Sequence, residues 1–300
     1  MRFDYPLLEA LSAVVREGTF EAAARSLGIT QSAVSQRVRL LEEKTGAILV
    51  KRGRPCVPTE LGMKLYRHTE LVQLLEHDLE TSLVHMTAGK RNLPAAIRIA
   101  VNADSVAIWF TEVVRRAAGK LNVFFDIIPD DQEHTAQRLR DGEALAAVTT
   151  ESRPIHGCKR VPLGAMAYVA VATPQFVADH FPDGVSLEAV SRAPIIFFDR
   201  KDTLQEQWLL TVFGRSVGMQ CHYVPSFNGY LNACLAGCGF GLVPRPTVDE
   251  YIRAGAFTEL TPGNSVEVSL YWQSSARESE MMRDLSQVVV DVARRYLNPP

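Results

Sequence analysis

The chain has 300 residues, of which 47% are hydrophobic and 22% charged, a balance typical of folded soluble proteins and wrong for a disordered, collagen-like or low-complexity chain. At roughly 150 residues per domain the length predicts about two domains, and no stretch reaches the roughly 18 consecutive apolar residues of a membrane span. The net charge of −2 conceals a split: residues 1–68 hold 11 basic and 7 acidic side chains, and the remainder hold 21 and 27, so a polyanionic partner is expected at the N-terminal part only.

The opening MRFDYPLLEALSAVVREG has Asp4 and Glu9 where a signal peptide would be basic and then apolar. A cytoplasmic location is therefore expected, with no membrane partner. The five cysteines (Cys56, Cys158, Cys221, Cys234, Cys238) are scattered and odd in number, which predicts reduced, mostly buried thiols. Residues 6–16 read as a helix with Leu7, Leu8, Leu11, Val14 and Val15 on one apolar face. Gly18 ends it, and Thr19 caps a short helix, Phe20–Leu27, whose Ala22, Ala23 and Ala24 permit close packing. Gly28 tolerates the left-handed geometry just past a helix end. Thr30 then caps a third helix running to about Thr45.

On that third helix Val34, Val38 and Leu41 share the buried face. Gln31, Ser32, Ser35, Gln36 and Arg39 point elsewhere and form a polar outer surface. A helix, a tight glycine turn and a second helix with a polar rim make the helix-turn-helix plan, whose second helix enters the major groove. The heads of Gln31, Ser32, Ser35 and Gln36 can donate and accept at base edges or phosphates. Arg37 and Arg39 would reach phosphate oxygens. The run AILVKRGRPCVPT reads as a β-wing with Lys51, Arg52 and Arg54 at its basic tip.

The stretch AAARSLGITQSAVSQRVRLLEEKTGAILVKRGRPCVPTELG resembles the DNA-binding domain of LysR-type transcriptional regulators. The resemblance is carried by Ala23-Ala24, Leu27, Thr30-Gln31-Ser32-Ala33-Val34-Ser35, Leu41-Glu42, Gly46, Arg52, Thr59 and Gly62. Leu49-Val50 stands where the family often has Leu-Phe, and Pro58 where it usually has Leu. Pro58-Thr59 and the wing Lys51–Pro55 are similar to the ArgP/LysG/IciA-like subgroup, whose members respond to basic amino acids. The resemblance extends through AVNADS, the DQEHT run, AVTTE and LYWQ. It implies a winged helix-turn-helix, a linker helix and a two-lobed α/β periplasmic-binding-protein-like effector domain. It also implies lysine or arginine as effector, amino-acid export, transport or biosynthesis genes as targets, and RNA polymerase as a candidate partner.

Thr59 can cap a long helix to about Thr87. Its Leu61, Leu65, Val72, Leu75, Leu79, Leu83 and Met86 are spaced near the 3.5-residue coiled-coil period. At ~1.5 Å per residue it spans about 43 Å. A helix this long with one apolar side predicts a homodimer through it, or a homotetramer built on that dimer, and two DNA-reading heads for a pseudo-palindromic site. Residues 88–92 read as a hinge.

From Ala95 strands alternate with helices, which predicts an open, mainly parallel α/β sheet. Strands are expected at 97–101, 123–128, 145–150, 168–172, 195–198, 221–224, 240–243 and 266–271. Helices are expected at about 104–118, 133–140, 204–213, 230–236 and 281–296. The domain map is 1–58 (winged helix-turn-helix), 59–93 (linker) and 94–300 (effector domain). Lobe 1 takes 94–163 and 266–300, and lobe 2 takes 164–265. Ligands bind beyond the carboxyl ends of strands in such sheets. That rule selects Asn102, Asp104 and Ser105, then Asp130, Asp131, Gln132 and His134, then Thr149 and Thr150, and lastly Asp199. Hydroxyls and helix N-termini suit a carboxylate, and Asp suits a cation.

Gly237-Cys-Gly239-Phe-Gly241 follows a helix and precedes a strand, the reverse of a dinucleotide loop. Cys234 and Cys238 lack a second ligand pair at zinc spacing. No nucleophile-elbow, zincin or P-loop pattern occurs. No catalytic residue, metal or cofactor is therefore expected. Two rivals remain at this point: an α/β small-molecule-binding protein or enzyme whose N-terminal helices only dimerise, and a non-specific architectural DNA binder.

Overall fold

The computed structural model describes residues 3–87, 95–121, 123–130, 135–276 and 279–299. Its N-terminal head comprises α1 (Tyr5–Glu17), α2 (Phe20–Leu27), α3 (Gln31–Thr45) and a two-stranded wing, β1 (Val50–Lys51) with β2 (Val57–Pro58). Leu8, Leu11 and Val14 of α1, Ala23 of α2 and Val34 of α3 are fully buried together. Gly18 closes α1 at φ 71° and Gly28 closes α2 at φ 65°, left-handed values that other L-residues adopt only at a cost.

The long helix α4 (Glu60–Thr87) leaves the wing and crosses to the rest of the chain. It is fastened to both the head and the C-terminal body. Leu65 and Tyr66 are buried at the head end, and Leu74 enters the core of the C-terminal body. Arg67 Nη2 donates to the Arg140 carbonyl at 2.6 Å. The Asp78 carboxylate accepts the amides of Glu280 (2.7 Å) and Met281 (3.3 Å). Leu61 (37%), Leu75 (57%) and Leu79 (60%) remain exposed. The apolar stripe predicted for α4 is therefore divided: Leu65 packs on its own head, Val72 is half-buried, and Leu61, Leu75 and Leu79 face outward. The expected hinge at 88–92 and the side chains of Leu83 and Met86 lie outside the described residues.

The body begins with β3 (Ala95–Asn102), α5 (Ala103–Ser105), a π-helical turn at Val106–Phe110 and α6 (Thr111–Leu121). Next come β4 (Val123–Asp130), α7 (Thr135–Asp141), β5 (Ala146–Thr149) and a 15-residue strand, β6 (Cys158–Ala172). Then follow α8 (Pro174–His180), α9 (Leu187–Arg192), β7 (Pro194–Phe197), α10 (Leu204–Phe213), β8 (Gln220–Tyr223), α11 (Phe227–Leu235), β9 (Gly241–Pro244), α12 (Arg245–Arg253) and β10 (Thr258–Glu259). The chain returns through β11 (Val266–Ser275) and ends on α13 (Glu280–Ala293). Trp109, Trp208 and Trp272 are all fully buried in the body's core.

The expectation of a mainly parallel sheet is corrected. A seven-stranded sheet has the order β10-β6-β11-β5-β3-β4, with β9 also on β6. Only β3 with β4 and β3 with β5 are parallel within it. β11 is antiparallel to both β5 and β6, and β6 is antiparallel to β9 and β10. The physical reason lies in β6 and β11. These are the two segments that pass between the lobes, and each enters the central sheet against the direction of its neighbours. The first ten residues of β6 alternate weakly, with Lys159, Arg160 and Pro162 exposed, so the hydropathy pattern showed only its buried end. Helices α8, α9 and α12 were also not predicted.

Candidate functional site

The head presents α3 outward. Thr30 Oγ1 accepts the Ala33 amide (3.2 Å) and starts the helix. Val34, Val38 and Leu41 are buried beneath it. Gln31, Ser32, Gln36 and Arg39 are exposed, while Ser35 and Arg37 are half-buried. Arg39 is paired with Glu43 across one turn at 3.0 Å, an exposed pair that a phosphate can displace at little cost.

The wing is held against α3 by Glu42, whose Oε1 accepts the amides of Leu49 (2.8 Å) and Val50 (3.4 Å). The Cys56 amide donates to the Gly18 carbonyl at 2.7 Å and ties the wing to the first turn. Lys51, Arg52 and Arg54 are exposed at the tip. Arg52 lies over the Phe20 ring, 5.2 Å from its centroid, and Nη2 sits 3.5 Å from Ser35 Oγ. This cation is therefore set beside the start of α3. Thr59 turns inward: its hydroxyl donates to the Ile48 carbonyl (2.9 Å) and accepts the Gly62 amide (3.1 Å). At Gly62 a Cβ would lie 2.0 Å from the Leu49 carbonyl oxygen, so α4 starts in contact with the wing.

The second site is a cavity of about 430 Å³ between the lobes. Asn102, Asp104, Thr150 and Asp199 of the predicted set line it. Ser105 and Thr149 do not. Ser105 is fully buried, and Thr149 Oγ1 accepts the Glu151 amide (3.0 Å) behind the wall. Asp130 ends β4 in register with Asn102. Asp131, Gln132 and His134 fall outside the described residues. Sequence reading missed Tyr168, Asp202, Glu267, Ser269 and Tyr271. Period-two alternation along β11, with Val266 and Leu270 inward, would have placed Glu267, Ser269 and Tyr271 on the cleft face.

The cleft is acidic. Asp104, Asp199, Asp202 and Glu267 line it against one cation, Lys201, among the described residues. Asp104 Oδ2 accepts from the Tyr168 hydroxyl at 2.5 Å. Asp199 Oδ1 accepts the amides of Lys201 and Asp202 (2.7 and 3.1 Å). Beneath, the Tyr230 hydroxyl donates to the Ile196 carbonyl (3.0 Å) and accepts the Leu242 amide (2.9 Å). Burial holds its pKa well above the usual tyrosine value.

Of the cysteines, Cys56 and Cys234 are buried, Cys158 is half-buried, and Cys221 and Cys238 are exposed. The expectation of mostly buried thiols therefore fails at two positions, Cys221 within the four-residue strand β8 and Cys238 in the turn after α11. Burial pushes the Cys234 thiol up to about 12.

Residues 6–63 match the bacterial regulatory helix-turn-helix protein, lysR family, and residues 90–294 match the LysR substrate binding domain. The chain belongs to the LysR family of transcriptional regulators. It is 39% identical over 297 residues to the HTH-type transcriptional regulator ArgP of Pseudomonas fluorescens, covering 99% of each chain. The crystal structure of ArgP from Mycobacterium tuberculosis superposes with a TM-score of 0.84 at 37% identity and full coverage of both chains. Full-length LysG from Corynebacterium glutamicum with bound effector Arg gives 0.74 at 33% identity, over 99% of this chain and all of the other. This LysR-type regulator is thus a DNA-binding protein with an N-terminal helix-turn-helix and a two-lobed α/β ligand domain, and not an enzyme. The polar rim of α3 is exposed on that helix-turn-helix.

Proposed function

We propose that the effector is a basic amino acid, arginine or lysine, bound between the lobes of a cytoplasmic homodimer that regulates amino-acid transport or biosynthesis genes. The observation that carries this reading is the lining of the cleft, four carboxylates against one ammonium. A wall of that sign favours a cationic side chain over a neutral or acidic one. The cavity volume suits a small molecule. The Arg bound to the LysG relative supports the same class.

On the head, Gln31, Ser32, Ser35 and Gln36 read base edges, and Arg37, Arg39, Lys51, Arg52 and Arg54 contact phosphates. Thr30 and Thr59 contribute by capping α3 and α4. The domains divide at 58/59 and 93/94. The dimer forms along the outward Leu61, Leu75 and Leu79 of α4, which need a second apolar surface. A tetramer would pair two such dimers, and RNA polymerase is the partner expected at the promoter. Effector binding changes the balance of two lobe arrangements through its differential affinity for them, and α4 passes that change to the heads.

Calorimetric titration of the full chain with arginine, lysine, norleucine and glutamate tests the effector class. Binding confined to the two cationic amino acids supports it. Binding of none of the four, or preference for a neutral or acidic one, refutes it. Gel shifts on the neighbouring promoter with the same ligands test the link to DNA.

A further inference from the structure

The cleft holds four carboxylates, and their hydrogen bonds separate them. Asp202 is spent on its own loop: Oδ2 accepts the Phe198 amide (3.1 Å) and the Gln205 carboxamide (3.0 Å), and Oδ1 accepts the Leu204 amide (3.1 Å). Asp199 braces the same loop through two backbone amides, and Asp104 is engaged by Tyr168. Glu267 is different. It is exposed in the cleft wall, and its carboxylate accepts from the Ser265 hydroxyl (2.9 Å) and from the Asn298 carboxamide (3.1 and 3.3 Å). These are neutral donors on side chains. They fix the direction of the carboxylate and leave its charge in place for a cation.

Asn298 belongs to the C-terminal tail, which is built onto the central strand. Its backbone exchanges two hydrogen bonds with Ala165 of β6: Ala165 N–H to the Asn298 carbonyl (3.0 Å) and Asn298 N–H to the Ala165 carbonyl (2.9 Å). Leu297 beside it is buried in the main core. The neighbouring strand residue is Gly164, at φ 128°, where a Cβ would stand 2.3 Å from the Asn298 carbonyl oxygen. Only glycine admits the tail at this distance. At the end of β3, two strands along the sheet from β11, the cleft wall includes Asn102, a residue 2% exposed whose Oδ1 has no hydrogen-bond partner among the described residues. A buried acceptor without a donor is costly, and an ammonium group supplies one.

We infer that Glu267, aimed by Asn298 of the tail docked at Gly164–Ala165, receives the cationic side chain of the effector, and that Asn102 meets its α-ammonium. Glu267 is the residue that sets the preference for a basic side chain, and Asn298 is a positioning residue that acts through it. The last turn of the chain is then part of the effector site. This inference rests on the basic-amino-acid reading above.

The test is calorimetric titration of full-length wild type, Glu267→Gln and Asn298→Ala with arginine and with citrulline, its neutral isostere. Losing one charge-assisted contact predicts about a tenfold weaker arginine Kd for Glu267→Gln, with the citrulline Kd changed by less than about threefold. Asn298→Ala should weaken arginine by roughly threefold and keep its advantage over citrulline, since orientation is lost but charge remains. An arginine Kd for Glu267→Gln equal to wild type overturns the inference, and so does an equal loss for both ligands, which would mark general damage to the cleft. Wild type that binds arginine no better than citrulline sinks the effector reading itself. Wild type that prefers arginine, with an unaffected Glu267→Gln, sinks only the assignment of Glu267.

Discussion

Replacing Glu42 with alanine should unfasten the wing from α3. Its Oε1 is the acceptor for the Leu49 and Val50 amides, and both residues are buried, at 0% and 4% exposure. Removing it leaves two donors without a partner. An unsatisfied buried donor costs ~1–3 kcal/mol, and the longer Val50 bond counts for less, so the expected loss is ~2 kcal/mol. For a domain of roughly 60–100 residues, ~4–8 °C per kcal/mol converts this to about 10 °C in the melting of the head. The three tryptophans, Trp109, Trp208 and Trp272, all lie in the body. Tryptophan fluorescence therefore reports the body, and far-ultraviolet circular dichroism reports both parts. Glu42→Ala should show an early helical loss with no fluorescence change, and its operator affinity should fall. Glu42→Gln keeps an acceptor and should lose less than half as much. Melting of Glu42→Ala that coincides with wild type in both signals would refute the reasoning.

At the junction of head, linker and body, Glu70 on α4 accepts from Ser12 Oγ of α1 (3.1 Å). Tyr66 on α4, Arg16 on α1, Arg98 on β3 and Asp126 on β4 are the charged and titratable groups around it. Burial raises its carboxyl above the usual glutamate value despite the two arginines. The folded state then holds the proton more tightly than the unfolded one, so this contribution is full below the ordinary glutamate pKa and is lost as pH rises through the raised value. Glu70→Gln should flatten the fall of Tm with pH across that window; parallel Tm profiles for the two proteins would contradict it. Leu75→Glu places a charge on the outward stripe of α4 and should shift sedimentation toward monomer, whereas an unchanged dimer would move the interface elsewhere. Phe20→Leu removes the ring under Arg52 and should weaken DNA binding by roughly two- to fivefold, as expected for an exposed cation–π contact of about 0.5–1 kcal/mol. Unchanged affinity would show that Arg52 needs no such support.

The head was legible because each of its signals is local. Gly18, Gly28 and Gly46 end helices where they stand, Thr19 and Thr30 cap the next ones, and the spacing of Val34, Val38 and Leu41 fixes which face of α3 is buried. The cleft was legible only in part, because it is assembled from distant segments. The rule about strand ends found Asn102, Asp104, Thr150 and Asp199, which sit where parallel strands finish. It missed Glu267 and Tyr168, which lie within the antiparallel strands β11 and β6. Ser105 and Thr149 were selected by the same rule, yet they turn into the core. The role of the C-terminal tail could not be read locally either, since Asn298 reaches β6 through a single bridge. The sheet direction was misjudged because alternation of strands with helices does not reveal that β6 and β11 run against their neighbours.

The account stands on the outward rim of α3 reading base edges. Selection of bound sequences from random duplex DNA, with full-length wild type, Ser32→Ala, Ser35→Ala and Gln36→Ala at a series of salt concentrations, tests this most directly. Wild type should enrich a motif of two related half-sites. Each variant should lose ~1–3 kcal/mol of preference at its own base position in both half-sites, while the salt dependence set by the arginines stays the same. A wild type that enriches no motif, or three variants that enrich the same motif as wild type to the same degree, would contradict it.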